Sequence, residues 1–317
     1  MLSRAEIADL TGSLYNTGIL TSREESGMTE RIFRETGGAA QEMELIRSKG
    51  GVHVYRCLYA GQRAVIKYFE NESDRREIGN YRMLAEMNVP TVKMLSSAEQ
   101  HIVLEDIGAS DTWRMGEEED MQDPAVLRAL ARWYFALHEG CEGHGRLKEM
   151  WSETDELSES SIGMIRRRLP GAEAVCEFAG AHLKALCSML TELENTVTYN
   201  DFYYTNFIVR RDRSAAMMFD YNLMGRGYRY ADFRNIASSV SEEAFAAFEE
   251  EYAALYRRKH GAGFEPDKTE KQMDDFLSPL LGLVSALKRE KFPSWAEGLK
   301  EDAENGTLLE HGREIFK

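Results

Sequence analysis

The sequence predicts a two-lobed α+β protein: a small antiparallel-sheet lobe at the N-terminus and a larger, mainly helical lobe after it. Three observations predict this. The first 107 residues carry short alternating strands, the texture turns helical from residue 108, and one strand pair stands alone inside the helical half. With 317 residues and 43% hydrophobic content, the chain can bury a core shared between two lobes. The predicted boundaries are 1–107, with a leading helix, and 108–317.

In chain order, "GGVHVYRCLYAGQRAVIKYFE" alternates around the turn Ala60-Gly61-Gln62 and predicts a β-hairpin. "NESDRREIGNYRMLAEMNVP" predicts a helix capped by Asn71 or Ser73 and ended by Pro90, with Glu77, Tyr81 and Leu84 on one stripe. Two strand-like runs follow, "TVKMLSS" and "HIVLEDIG", and a short crossing near Glu105 to Ser110 joins the lobes. "DPAVLRALARWYFALHEG" reads as a helix capped by Asp123, started by Pro124 and stopped by Gly140. Further helical patterns cover 170–193, 240–259 and 270–287. Between them, "NFIV" and "AMMFD" flank the polar turn Arg210 to Ser214 and predict a second hairpin.

Composition excludes several classes. A net charge of −15 opposes nucleic-acid binding and favours a cationic small molecule. Between Glu105 and Ser160 there are fifteen acids and five bases, a pattern that also suits a solvated acidic face. Four dispersed cysteines without a C-x-x-C pair fit reduced thiols rather than a disulfide framework. No run reaches the roughly 18 apolar residues of a spanning helix, and the first dozen residues lack the pattern of a signal peptide. A cytoplasmic protein with no membrane partner is expected.

The second hairpin carries the chemistry. Its strands bring Asn206 and Asp220 to one mouth, and Asp201 on the preceding loop reaches the same place. Two carboxylates and an amide make an oxygen-rich site suited to Mg²⁺. Asp-x-x-x-x-Asn followed by a further Asp is the spacing of a kinase catalytic loop, in which the first Asp takes the proton of the attacking hydroxyl and the later pair hold metal. The N-terminal half supplies a counterpart. "AVIK" sets Lys67 near the end of a strand, Glu77 follows in the next helix, and Gly50-Gly51 make a turn whose backbone N–H groups can approach phosphate oxygens.

These blocks, "YNDFYYTNFIV", "MMFDYNLMGRGYRYADFRN", "ALARWYFALHEG" and "IVLEDIG", resemble those of the aminoglycoside phosphotransferase and choline kinase branch of the protein-kinase-like fold, over roughly residues 45–240. The resemblance implies ATP in a cleft between the lobes, with adenine against the hinge near Glu105 to Ile107. It also implies a small-molecule hydroxyl acceptor held by the helical lobe. Tyr199 stands where that family usually has His, Tyr203 where it often has another, and the protein-kinase D-F-G and A-P-E elements are absent. Phosphorylation of proteins is the weaker expectation, and a catalytically weak nucleotide-binding regulator is the alternative.

Other features read as structural. Asp232, just before a helix, braces the lobe; His138 near a helix C-terminus is favoured there by the macrodipole. Cys141-x-x-His144 lacks a second ligand pair for zinc. Tyr203, Tyr204, Tyr221, Tyr228 and Tyr230 belong either to the core or to an acceptor pocket.

Overall fold

The structure, a computed structural model, describes residues 22–317. The expectation about the first dozen residues falls outside that range. Helix α1 (Ser22–Glu35) leads into β1 (Ala40–Lys49), β2 (Val52–Tyr59) and β3 (Gln62–Phe69), and after α2 (Arg76–Glu86) come β4 (Met94–Ser97) and β5 (His101–Glu105). These strands form one antiparallel sheet in the order β1-β2-β3-β5-β4.

Alternation assigns the faces of β3. Ala64, Ile66 and Tyr68 are buried on the face that also packs Tyr55, Cys57 and Val103 against Met28 and Ile32 of α1. Lys67 therefore points to the other face, towards α2 and the large lobe. The Ala60-Gly61 turn forms as expected, with β2 and β3 paired from Val52 opposite Phe69 to Tyr59 opposite Gln62.

The cap of α2 differs from expectation. A short 3₁₀ turn, Glu72–Arg75, precedes the helix, and neither Asn71 nor Ser73 caps it. Asn71 instead donates to the carbonyl of Gly50 at 2.8 Å and to Asp74 at 2.9 Å. The helix ends at Glu86, ahead of Pro90, because Asn88 turns left-handed and Val89 N–H returns to the Leu84 carbonyl. Glu77, Tyr81 and Leu84 do share a buried stripe.

After β5 the chain crosses through a 3₁₀ turn at Ile107–Ala109, pinned to β2 by Asp106, which accepts from Arg56 Nε at 2.9 Å and from Gly108 N at 3.0 Å. The large lobe contains β6 (Trp113–Met115), α3 (Pro124–Gly140), α4 (Glu159–Arg168), α5 (Glu173–Glu192), β7 (Thr196–Thr198), β8 (Phe207–Arg210), β9 (Ala216–Met218), β10 (Gly225–Gly227), α6 (Arg229–Ala237), α7 (Glu242–His260), α8 (Lys268–Leu287), α9 (Glu297–Asn305) and α10 (Thr307–Glu314). Asp123 caps α3 through Ala125 N at 2.8 Å, with Pro124 in the first turn. Strands β8 and β9 form the expected hairpin, and β6 adds a third strand that the sequence reading does not contain.

Two cores hold this half. One apolar cluster runs from α2 and β5 through α3 to the β8–β9 hairpin and α7; a second unites α4, α5, α8, α9 and α10. Both flanks of the cleft rest on the first cluster, so Glu77 and the hairpin are positioned by one continuous packed body. Among the described residues, no helix is long and apolar enough to cross a membrane.

Candidate active site

Lys67 and Glu77 meet across β3 and α2. Lys67 Nζ lies 2.7 and 2.6 Å from the two oxygens of Glu77 and 2.9 Å from Asp220 Oδ1. Glu77 is 1% exposed and the Lys67 side chain 13%, so the ion pair sits at low dielectric. Burial opposes the charge on Lys67, but the Asp220 and Glu77 carboxylates outweigh it and raise its pKa. Burial pushes Glu77 up to about 7 against the pull of Lys67. Contact with both carboxylate oxygens marks the pair as ionic.

Asp220 follows β9 with φ 61° and ψ 74°, a left-handed conformation rare for a residue with a Cβ. Asn206 ends a 3₁₀ turn just ahead of β8. Both polar residues therefore flank their strands rather than lying in them, and the hairpin still joins them. Phe207 pairs with Met218, and Phe219 N–H donates to the Asn206 carbonyl at 2.8 Å. The Asn206 amide donates to Asp201 Oδ2 at 2.8 Å and to the Asp201 carbonyl at 3.0 Å, which leaves Asn206 Oδ1 as its acceptor end. Burial, then the charge of Asp220, pushes the Asp201 carboxyl up to about 6, against the Asn206 hydrogen bond.

The loop bearing Asp201 is anchored from below. Asp232 accepts from the backbone N–H groups of Tyr199 (3.0 Å) and Asn200 (3.1 Å) and faces His138 Nε2 at 3.1 Å. It lies within the first turn of α6, not before it. His138 is completed by Tyr252, whose hydroxyl is 2.8 Å from Nδ1. Burial lowers the pKa of His138, against its hydrogen bond to the Asp232 carboxylate. Cys141 Sγ bonds to the His138 carbonyl and to Thr196, and among the described residues no group of three His, Cys, Asp or Glu could hold a metal alone.

The turn at the mouth of the sheet is tied down as well. Gly50 (φ +58°) and Gly51 (φ +84°) need backbone that other residues rarely adopt, and a Cβ on Gly51 would stand 2.6 Å from Asn71 Nδ2. Glu105 closes β5, its side chain and N–H both engaged with the Lys93 backbone. Ile107 is buried in the large apolar cluster. Thus Lys67, Glu77 and Asp220 are in direct contact, Asp201 and Asn206 adjoin them through the hairpin, and Gly50, Gly51, Glu105 and Ile107 border the sheet at its turn and crossing.

Several contacts had no clear sequence signal. Asn80 donates to the Tyr221 carbonyl at 2.8 Å and Arg76 to the Asn222 carbonyl at 2.6 Å, fastening α2 to the segment after Asp220. An asparagine on the inward stripe of α2 was the one available hint. A polar recess beside Asn200 is lined by Glu153, Thr198, Tyr228, Arg234 and Asp274 among others. Of the aromatics, Tyr221 and Tyr228 are buried, while Tyr203 and Tyr204 pack on each other with centroids 4.6 Å apart on the loop between Asp201 and Asn206.

Comparison with known proteins places the chain in a family. The model of the phosphotransferase enzyme family matches residues 43–270. Among curated proteins, none matches by sequence. Solved structures share the fold at low identity. A macrolide 2′-phosphotransferase from Brachybacterium faecium is 16% identical, with 88% of this chain and 96% of that one covered and a TM-score of 0.53. Choline kinase from Cryptosporidium parvum is 12% identical, with 92% and 96% covered and a TM-score of 0.54. An ethanolamine kinase from Plasmodium vivax is 11% identical, with 98% and 97% covered and a TM-score of 0.56.

Proposed function

This chain belongs to the phosphotransferase enzyme family, and from that premise we propose that it moves the γ-phosphoryl group of ATP to a hydroxyl of a small molecule in the cytoplasm. The observation that carries the reading is the meeting of Lys67 from the sheet with Glu77 and Asp220, beside the Asp201–Asn206 pair.

The roles follow from the chemistry of each group. Lys67, held by Glu77, places a fixed positive charge against the α- and β-phosphates. Gly50 and Gly51 offer backbone N–H groups to the phosphates, and Glu105 and Ile107 border the adenine at the hinge. The Asp220 carboxylate and the Asn206 amide oxygen are hard donors that fit Mg²⁺. They are too few to hold it alone, so waters and phosphate oxygens would complete its shell. Mg²⁺ bound there would neutralise charge developing on the transferred phosphoryl group. Asp201, with its carboxyl raised to about 6 by burial and by Asp220, is ionised at neutral pH and basic enough to take the acceptor's proton.

The recess beside Asn200 supports an acceptor that carries a cation, such as an amino-alcohol or an aminoglycoside. Arg234 is already bound to Asp274 at 2.9 Å, leaving Glu153 with no ion pair of its own among the described residues. Its side chain is exposed at the recess, so a bound ammonium group can pair with it without displacing a partner. The net charge of −15 steers such a ligand inward.

The test is a screen of amino-alcohols, aminoglycosides and neutral sugars for ATP- and Mg²⁺-dependent phosphate incorporation, run beside a thermal-shift titration with nucleotide. Transfer to one acceptor class establishes the activity. Stabilisation by nucleotide without transfer to any acceptor would identify a regulator with a kinase fold instead.

A further inference from the structure

Tyr199, the residue that departs from the histidine usual in the family, is fully buried, and its hydroxyl donates to the carbonyl of Phe219. The carbonyls of Asp220, at 3.3 Å, and Asn206, at 3.4 Å, stand around the same oxygen. The ring is clamped edge-on by Trp133, Tyr134 and Tyr221, with centroids 5.8, 6.4 and 6.2 Å away. A rigid donor thus reaches from the loop of Asp201 to the peptide that enters Asp220.

That peptide needs a restraint. A left-handed aspartate costs about 1 kcal/mol or more and persists only where its surroundings fix it. The phenol holds the Phe219–Asp220 peptide by its carbonyl, and the Asn206 carbonyl holds the peptide before it through Phe219 N–H. We propose that Tyr199 is a positioning residue whose hydroxyl locks the Phe219–Asp220 peptide, so that the Asp220 carboxylate faces Lys67 and the metal position. The inference rests on the metal role proposed for Asp220. A phenol has one hydrogen to give and stays neutral here, because burial and the Asp201 and Asp220 carboxylates hold its pKa far above the ordinary value. Its donation is therefore constant across the working pH range, where an imidazole would titrate.

The neighbouring Tyr134 provides a matched control. It is equally buried, but among the described residues its hydroxyl has no hydrogen-bond partner. Mn²⁺ binding followed by electron paramagnetic resonance, with a non-hydrolysable ATP analogue present, is compared for the wild type, Tyr199→Phe and Tyr134→Phe. Analogue binding in EDTA and the thermal midpoint are recorded alongside. We expect Tyr199→Phe to bind Mn²⁺ about three- to tenfold more weakly, the worth of one hydrogen bond, with metal-free analogue binding within about twofold of wild type. Tyr134→Phe keeps the wild-type Mn²⁺ affinity. Unchanged Mn²⁺ binding in Tyr199→Phe, an equal loss in both variants, or failure of Tyr199→Phe to fold would each overturn the positioning role while leaving the phosphotransferase reading intact. A wild-type protein that takes up no Mn²⁺ with the analogue overturns both.

Discussion

Lys67 and Asp220, 153 residues apart in sequence, are joined by a 2.9 Å contact between Nζ and Oδ1, and the same ammonium group holds both oxygens of Glu77. One cation is thus shared by a carboxylate of α2 and a carboxylate of the large lobe.

Removing that cation strands a buried acid. Lys67→Met should abolish nucleotide affinity and lower stability by about 3 kcal/mol at pH 8. Glu77 is already pushed up to about 7 by burial, above its unfolded value, so its ionised form is the unfavourable one once Lys67 is gone. Without Lys67 to hold it down, that pKa should rise further, so the variant should lose more stability than the wild type as pH rises from 6 to 9. Urea melts at several pH values check this, and a pH-independent difference would contradict it.

Asp201→Asn should lower kcat by about 10²–10⁴, the usual worth of a general base, while nucleotide affinity stays near wild type. It should also stabilise the fold at neutral pH by on the order of 1–2 kcal/mol, because a carboxyl whose folded pKa is raised is destabilising when ionised. A variant with normal turnover would remove Asp201 from the base role. Thermal melts of the two proteins test the stability arm.

The wild-type pH profile should show an acidic limb near pH 6, falling about tenfold per pH unit below it as Asp201 takes up its proton. A kcat/KM that stays level down to pH 5 would rule out a base with this environment.

Asp232→Ala should cost about 3 kcal/mol or more, since it leaves two backbone N–H groups and the His138 ring without their buried acceptor. Because both N–H groups belong to the loop bearing Asp201, kcat should fall more than nucleotide affinity does. Chemical denaturation and steady-state kinetics report the two effects separately.

Glu153→Gln should raise KM for a cationic acceptor about tenfold and leave KM for ATP unchanged. Equal effects on cationic and neutral acceptors would place the acceptor elsewhere.

Much of this was legible because the relevant signals are local. Period-2 alternation marked the strand that carries Lys67, and a helical stripe put Glu77 with Tyr81 and Leu84. The polar turn between two short apolar runs announced the hairpin that gathers Asn206 and Asp220. What stayed hidden depends on backbone acceptors. The Tyr199 hydroxyl, Asn80 and Arg76 all bond to carbonyls, and a carbonyl belongs to every residue, so nothing in the letters of Phe219, Tyr221 or Asn222 marks them as targets. Strand β6 is three residues long and recognisable only by its partner β8. Helix α4 escaped notice because its cap is a local pair, Ser158 with Ser161, and its last turn is three arginines.

The attachment of α2 to the residues after Asp220, through Asn80 and Arg76, bears on how the two halves can rock. Glu77 is fastened to the large half through α2, whereas Lys67 lies on the sheet. A swing of the sheet about the crossing near Asp106 that left α2 in place would draw the ammonium away from both carboxylates at once, so the spacing of this triad would measure how far the jaws are shut.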